Sequence, residues 1–176
     1  MRKLELFRSR RNFWSHLTIV AWGIFGKPLV ELPLFPGFAR KPLFKLWGAK
    51  IGQGLVLRKR VKVQFPWNLE IGDNCWIGEE VWFINHEKVK IGSNVCISQR
   101  SIICSGGHDF RSSSLEYAHK PIEIYDGAWV CLDAKVLPGV TIGKCSVVSA
   151  GEIARKSIPD YSMLIAGEIR AIDPPK

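Results

Sequence analysis

The stretch IGDNCW-IGEEVW-FINHEK (71–88) advances in steps of six, each opened by an aliphatic or aromatic residue. After Val89 and Lys90 the count resumes as IGSNVC, ISQRSI and ICSGGH (91–108). Ile124, Val130, Val136, Ile142, Val148 and Ala154 keep the same spacing further on, and Ile51, Leu57 and Val63 begin it. A period of six fits neither an amphipathic helix, at about 3.6, nor plain strand alternation. It is a multiple of two, so the opening residues can all point inward from short extended segments. Gly, Asn and Asp between them supply turn chemistry at regular intervals. The physical solution is a coil of short faces, each giving one aliphatic residue to the interior. Three faces make a triangular coil of about eighteen residues, and coils stack through parallel-strand hydrogen bonds about 4.8 Å apart. So many repeats in one small chain predict a mainly β protein, a parallel β-helix.

The rhythm divides the chain. A basic, aromatic-rich segment (1–46) precedes a β-helix domain (47–160), and a C-terminal tail (161–176) follows. Residues 1–60 carry 13 Lys/Arg against 2 Asp/Glu, whereas 61–176 carry 12 against 14. The balance of +11 in the first part against −2 in the second assigns the basic character to the N-terminal segment. Such a segment suits an anionic membrane surface; the plainer reading is a helix packed on the main domain with a solvated basic rim. No nucleic-acid-binding motif accompanies the charge, so no nucleic-acid partner is expected. The apolar window FWSHLTIVAWGIF (13–25) is shorter than the roughly 20 residues a membrane span needs, and no signal-peptide cleavage site follows it. Five cysteines without a CxxC pair argue against a disulfide framework or a zinc site. A cytoplasmic protein is expected, with the inner membrane face as a peripheral location.

PWNLEIGDNCWIG (66–78), KVKIGSNVCISQRSIICSGGHDF (88–110) and KPIEIYDGAWVCLDAKVLPGVTIG (120–143) resemble the hexapeptide-repeat acyltransferases. Within that superfamily they look most like sugar O-acetyltransferases of the colanic-acid-biosynthesis type. The resemblance implies a left-handed parallel β-helix, acetyl-CoA as co-substrate, no required metal, and a homotrimer with sites in the clefts between prisms. It also implies a sugar or glycan acceptor, free or lipid-linked, in exopolysaccharide or surface-glycan assembly.

The rhythm stops at IICSGGHDFRSSSLEYAHKPIEI (102–124), where a loop of about 106–121 is expected to leave the coil. Acetyl transfer to a hydroxyl needs a base, and imidazole suits that task near neutral pH. His108, after two glycines, matches the family's catalytic histidine. It would take the acceptor's proton in a direct transfer and return it to the departing sulfur. Asn85, His86 and His119 are the acceptor-side candidates; the competing readings are a turn residue for Asn85 and a solvent-exposed loop residue for His119. Cys104 beside them reads as strand packing, not as a nucleophile. On the CoA side, Leu132 and Ala150 match positions whose backbones contact the pantetheine arm. Arg155, Lys156 and Arg170 are candidates for the phosphates. The segment AGEIRAIDPPK (166–176) lacks the proline that relatives carry there, which leaves the adenine-end contacts open. Trp129 and the flat faces are expected at a subunit interface. Two rivals remain. A zinc enzyme would need His86, His108 and His119 to converge. A non-catalytic scaffold or membrane-surface module would have kept the prism without the chemistry.

Overall fold

A computed structural model describes residues 13–32 and 36–174. The basic residues of 1–12 counted above lie outside the described residues.

The period of six becomes a three-faced coil. The first turn holds β1 (Lys50–Ile51), β2 (Val56–Leu57) and β3 (Lys62–Val63). The second holds β4 (Leu69–Ile71), β5 (Trp76–Ile77) and β6 (Trp82–Ile84). Then come β7 (Val89–Ile91), β8 (Cys96–Ile97) and β9 (Ile102–Cys104), and after a long loop β10 (Ile122–Ile124), β11 (Trp129–Val130) and β12 (Lys135–Val136). The fifth turn is β13 (Thr141–Ile142), β14 (Val147–Val148) and β15 (Ile153–Ala154). Every third strand stacks in parallel, giving face I (β1-β4-β7-β10-β13), face II (β2-β5-β8-β11-β14) and face III (β3-β6-β9-β12-β15).

Each face lines the interior with one column. Ile51, Ile71, Ile91, Ile124 and Ile142 rise on face I, and Ile77, Ile97, Val130 and Val148 on face II above half-buried Leu57. Val63, Phe83, Ile103, Val136 and Ala154 fill face III. The residues that open the sequence repeat are therefore the core. The coils are less uniform than the sequence suggested. Successive face I residues are offset by twenty (Ile51↔Ile71↔Ile91), then thirty-three (Ile91↔Ile124), then eighteen (Ile124↔Ile142). Extra residues sit where the chain passes from face III to face I.

The corners explain why. Between faces I and II the chain turns on a residue with positive φ in each coil: Gly54, Asn74, Asn94, Gly127 and Cys145. Between faces II and III it turns on Arg60, Glu80, Arg100, Asp133 and Gly151. One left-handed residue per corner closes each turn in a fixed number of residues. At the third corner, among the described residues, only Gly139 and, within the long loop, Leu115 have positive φ, so its length is free to vary. Tight stacking adds a second demand: a Cβ on Gly72 would meet the Gly92 backbone at 2.7 Å.

The bottom of the prism is capped. α1 (Phe13–Ala21) runs through a π turn (Trp22–Gly26) into α2 (Lys27–Glu31), and α3 (Gly37–Leu46) follows. Trp22, Gly26 and Val30 recur every four residues as the buried stripe of this helix. Trp22 packs against Phe44 and Trp47 at 6.0 and 5.4 Å between ring centroids. Buried Arg40 donates to the Arg58 and Leu32 carbonyls and so ties α3 to the first coil. Among the described residues no helix is long and apolar enough to cross a membrane.

The expected tail continues the fold. β16 (Ser162–Ile165) pairs in parallel with β14 and starts a sixth coil, then β17 (Glu168–Ala171) folds back antiparallel. The two residues between them, Ala166 and Gly167, have φ of 51° and 77°, as a primed hairpin turn requires.

Phe83 is fully buried, so Phe83→Ala leaves a cavity between the second coil and its neighbours. Urea unfolding should show a loss of about 3–5 kcal/mol, whereas the same change at exposed Phe38 should cost little. Equal losses at both positions would contradict the columnar core.

Candidate active site

The site grows from the unclosed corner between faces III and I. In the second coil this corner is clamped by Asn85. Its Oδ1 accepts from the Phe65 backbone N–H at 3.0 Å and its Nδ2 donates to the Phe65 carbonyl at 2.6 Å. Asn85 is fully buried, and both ends of its amide bond to the coil below. Asn68 Nδ2 caps the same corner by donating to the Asn85 and His86 carbonyls at 3.1 and 2.9 Å. In the third coil Ser105 Oγ donates to the Glu87 carbonyl at 2.8 Å and accepts from the Glu87 N–H at 2.9 Å. Together these bonds fix the platform from which the loop departs.

The loop leaves after Cys104 and returns as a narrow antiparallel excursion. Gly107 and Ala118 are linked by a 2.9 Å backbone bond, Asp109 and Glu116 by one of 2.8 Å, and His108 faces Tyr117 across the pair. A Cβ on Gly107 would come within 3.1 Å of the Ala118 carbonyl oxygen. Tyr117 and His119, two residues apart on the returning limb, lie ring against ring. A file of rings results. Phe65 and His86 lie 5.1 Å apart, His86 and His119 4.6 Å, His119 and Tyr117 4.6 Å, and Tyr117 and His108 5.2 Å. His108, His119 and His86, named separately from the sequence, thus belong to one assembly. They meet ring against ring, and among the described residues no group of His, Cys, Asp or Glu is placed to hold a metal ion.

Two hydrogen bonds set the imidazole tautomers. His108 Nδ1 lies 2.7 Å from the Leu115 carbonyl, and an oxygen there can only accept, so Nδ1 carries the proton. In the neutral ring the lone pair is then on Nε2, and the residue is exposed. His119 is opposite: its Nδ1 accepts from the Gly107 N–H at 3.0 Å, leaving the proton on Nε2. Sequence reasoning missed both Tyr117 and the Leu115 carbonyl; the two-residue spacing of Tyr117 and His119 was the available signal. Cys104 sits in β9 with its Sγ donating to the Gly106 carbonyl at 3.2 Å, a packing role. Burial pushes the Cys75, Cys96 and Cys131 thiols up, which disfavours the thiolate.

The other candidates lie elsewhere. Leu132 and Ala150 occupy the corner between faces II and III in successive coils, linked by Gly151 N–H donating to the Leu132 carbonyl at 2.9 Å. Both are exposed. This corner and the His108 corner are at opposite ends of the face III strands, so one chain does not bring them together. Arg155 and Lys156 follow β15 and share a hollow of about 200 Å³ with Gly167 and Ile169 of the C-terminal hairpin. Arg170 stands in β17, where its guanidinium pairs with Glu168 at 2.9 Å. Face II carries an outward row in which Val56, Trp76 and Trp129 are each about half exposed, with Cys96 of β8 between the two tryptophans.

No family model matches the chain. Over 117 residues the chain is 41% identical to the putative colanic acid biosynthesis acetyltransferase WcaF of Escherichia coli, covering 66% of this chain and 64% of that relative. It is 31% identical over 124 residues to the galactoside O-acetyltransferase of the same organism, covering 68% and 61%. The chain thus spans just under two thirds of the length of these curated relatives. The crystal structure of a hexapeptide-repeat-containing acetyltransferase from Vibrio cholerae, complexed with acetyl coenzyme A, superposes with a TM-score of 0.82 at 22% identity, over 92% of this chain and 89% of that one. A galactoside acetyltransferase in complex with coenzyme A gives 0.80 at 21%, over 97% and 88%. At these identities the structural likeness establishes a shared fold.

The tautomers are directly measurable. Long-range ¹H–¹⁵N spectra of the neutral rings should show His108 protonated on Nδ1 and His119 on Nε2. The reverse pattern at His108 would remove the lone pair from Nε2.

Proposed function

From a chain homologous to sugar O-acetyltransferases on the hexapeptide-repeat fold, we propose an acetyl-CoA-dependent O-acetyltransferase that modifies a sugar hydroxyl in surface-glycan assembly. The observation that carries the reading is the exposed His108 ring, whose Nδ1–H is held by the Leu115 carbonyl so that Nε2 is the basic nitrogen. His108 Nε2 takes the proton as the acceptor oxygen attacks the thioester carbonyl carbon. The Leu115 carbonyl, already bonded to Nδ1–H, stabilises the imidazolium that forms. When the carbon–sulfur bond breaks, His108 returns the proton to the CoA sulfur, and no acyl-enzyme intervenes. Tyr117, His119 and His86 hold the base in place through ring contacts, and His86 and His119 border the acceptor. Such positioning matters because small displacements of a reacting group cost rate steeply.

The CoA side belongs to a second copy. Exposed Leu132 and Ala150 offer backbone to an extended pantetheine arm, and Arg155 and Lys156 offer cations to its phosphates. Their separation from His108 within one chain supports clefts between neighbouring prisms, three in a homotrimer. The half-exposed Trp76 and Trp129 on face II support burial of that face against a neighbour. Arg170 enters through its guanidinium only if it exchanges Glu168 for a phosphate.

CoA release with a panel of sugar acceptors tests the reading. His108→Ala should lower kcat by about 10²–10⁴-fold with the KM for acetyl-CoA little changed. Tyr117→Ala should lower kcat about tenfold through loss of positioning. Equal turnover by His108→Ala and the parent, or no turnover by either on any acceptor, would leave the scaffold reading in its place.

A further inference from the structure

The N-terminal cap has an outer side that the prism does not use. Its buried stripe of Trp22, Gly26 and Val30 faces the coil. Away from that stripe, α1, the π turn and α2 expose Leu17, Val20, Ile24 and Phe25, the last two at 60% and 65%. On α3, Phe38 and Leu46 are 82% and 80% exposed. So many large apolar side chains on one small cap far exceed the scattered surface residues of an ordinary domain.

Charge says what covers them. Lys27 lies two residues after Phe25, and Lys45 precedes Leu46; both are exposed. Arg2, Lys3, Arg8, Arg10 and Arg11 lie in the twelve residues immediately before α1. Across residues 1–60 the balance is +11, against −2 for the rest of the chain. A second copy of this face would set one strongly basic segment against another. A bilayer with anionic headgroups matches both features: it receives the apolar side chains at the acyl boundary and the lysines and arginines at the headgroups. The helix lies on such a surface and does not cross it, because no described helix is long enough to span. We propose that the N-terminal cap docks the protein on the surface of an anionic lipid bilayer, with Ile24 and Phe25 inserted and the flanking basic residues on the headgroups. This docking stands apart from the acetyl-transfer reading, since it requires no turnover.

Co-sedimentation with vesicles tests it, using the full chain. The parent should bind vesicles of about 30% phosphatidylglycerol in phosphatidylcholine at least about tenfold better than pure phosphatidylcholine. Raising the salt from about 0.05 to about 0.5 M should release it. Ile24→Asp with Phe25→Asp should cost about tenfold in binding, and Lys27→Glu with Lys45→Glu a similar factor. The first pair should leave thermal unfolding and molar mass by light scattering unchanged, because both side chains are already solvent-exposed. His108→Ala should bind vesicles like the parent, which separates a failure of docking from a failure of the catalytic reading. Salt-insensitive binding, or undiminished binding by the aspartate pair, overturns the proposal. A drop in molar mass in the aspartate pair overturns it too, and assigns the face to a second copy.

Discussion

A triangular coil this narrow has no spare interior. Each face contributes one side chain per turn, and the columns of Ile, Val, Leu and Phe close on one another with essentially no solvent access. Close packing of this kind tolerates neither a void nor a polar intruder. Everything chemical is therefore forced outward, to the faces and the corners. Two corners are closed in each coil by a left-handed residue, and an insertion there would break the stack. The third lacks that device in most coils, so it accepts two extra residues in the lower turns and a whole loop in the third. The candidate active site lies where the repeat is least constrained.

A loop on a permissive corner is only useful if its base is rigid. The buried clamps of Asn85 on Phe65 and of Ser105 on Glu87 supply that rigidity. Being buried, they act where a hydrogen bond is strengthened by low polarity and where losing one partner is costly. The file of rings from Phe65 to His108 carries this order outward from coil to loop. At the far corner the surface interactions are of a different kind. Arg60 and Glu80 pair at 3.1 Å, Arg100 and Asp133 at 2.6 Å, and the Arg100 guanidinium holds the Asp133 carboxyl below its usual range. These pairs are well exposed, and such pairs contribute little to stability.

The fold was legible because the residues that open the repeats line the core: Ile51, Ile71, Ile91, Ile124 and Ile142 were all placed by counting. The register was less so. The same count gives coils of about eighteen residues, whereas extra residues at one corner lengthen the lower turns by two, and nothing in their composition marks them as a corner. His108 was singled out by its glycines and by the resemblance, and its place on the departing loop was legible from the break in the count. The carbonyl that selects its tautomer was not, since Leu115 contributes only backbone. For Asn85, the residue type suits a ligand contact and a buried clamp equally, and its clamp on Phe65 is visible only in the structure. Leu132 and His108 are far closer in the motif than in space, because a strand of face III separates their corners. The departure from the family's proline near the C-terminus turned out to be a hairpin, for which Ala166 and Gly167 are the turn.

That hairpin has a consequence for how the protein behaves at high concentration. A stack of parallel coils ends in unpaired backbone at both ends, and an open end is a template for another chain. The helical cap covers the lower end with Trp22, Val30 and Phe44. At the upper end β17 runs against the direction of every coil strand and presents an exposed, twisted edge bearing Glu168 and Arg170. A further parallel coil has no register to continue there, and charged side chains line the strand that remains. On face II, the reversal of a single strand thus removes the parallel edge that another coil would extend.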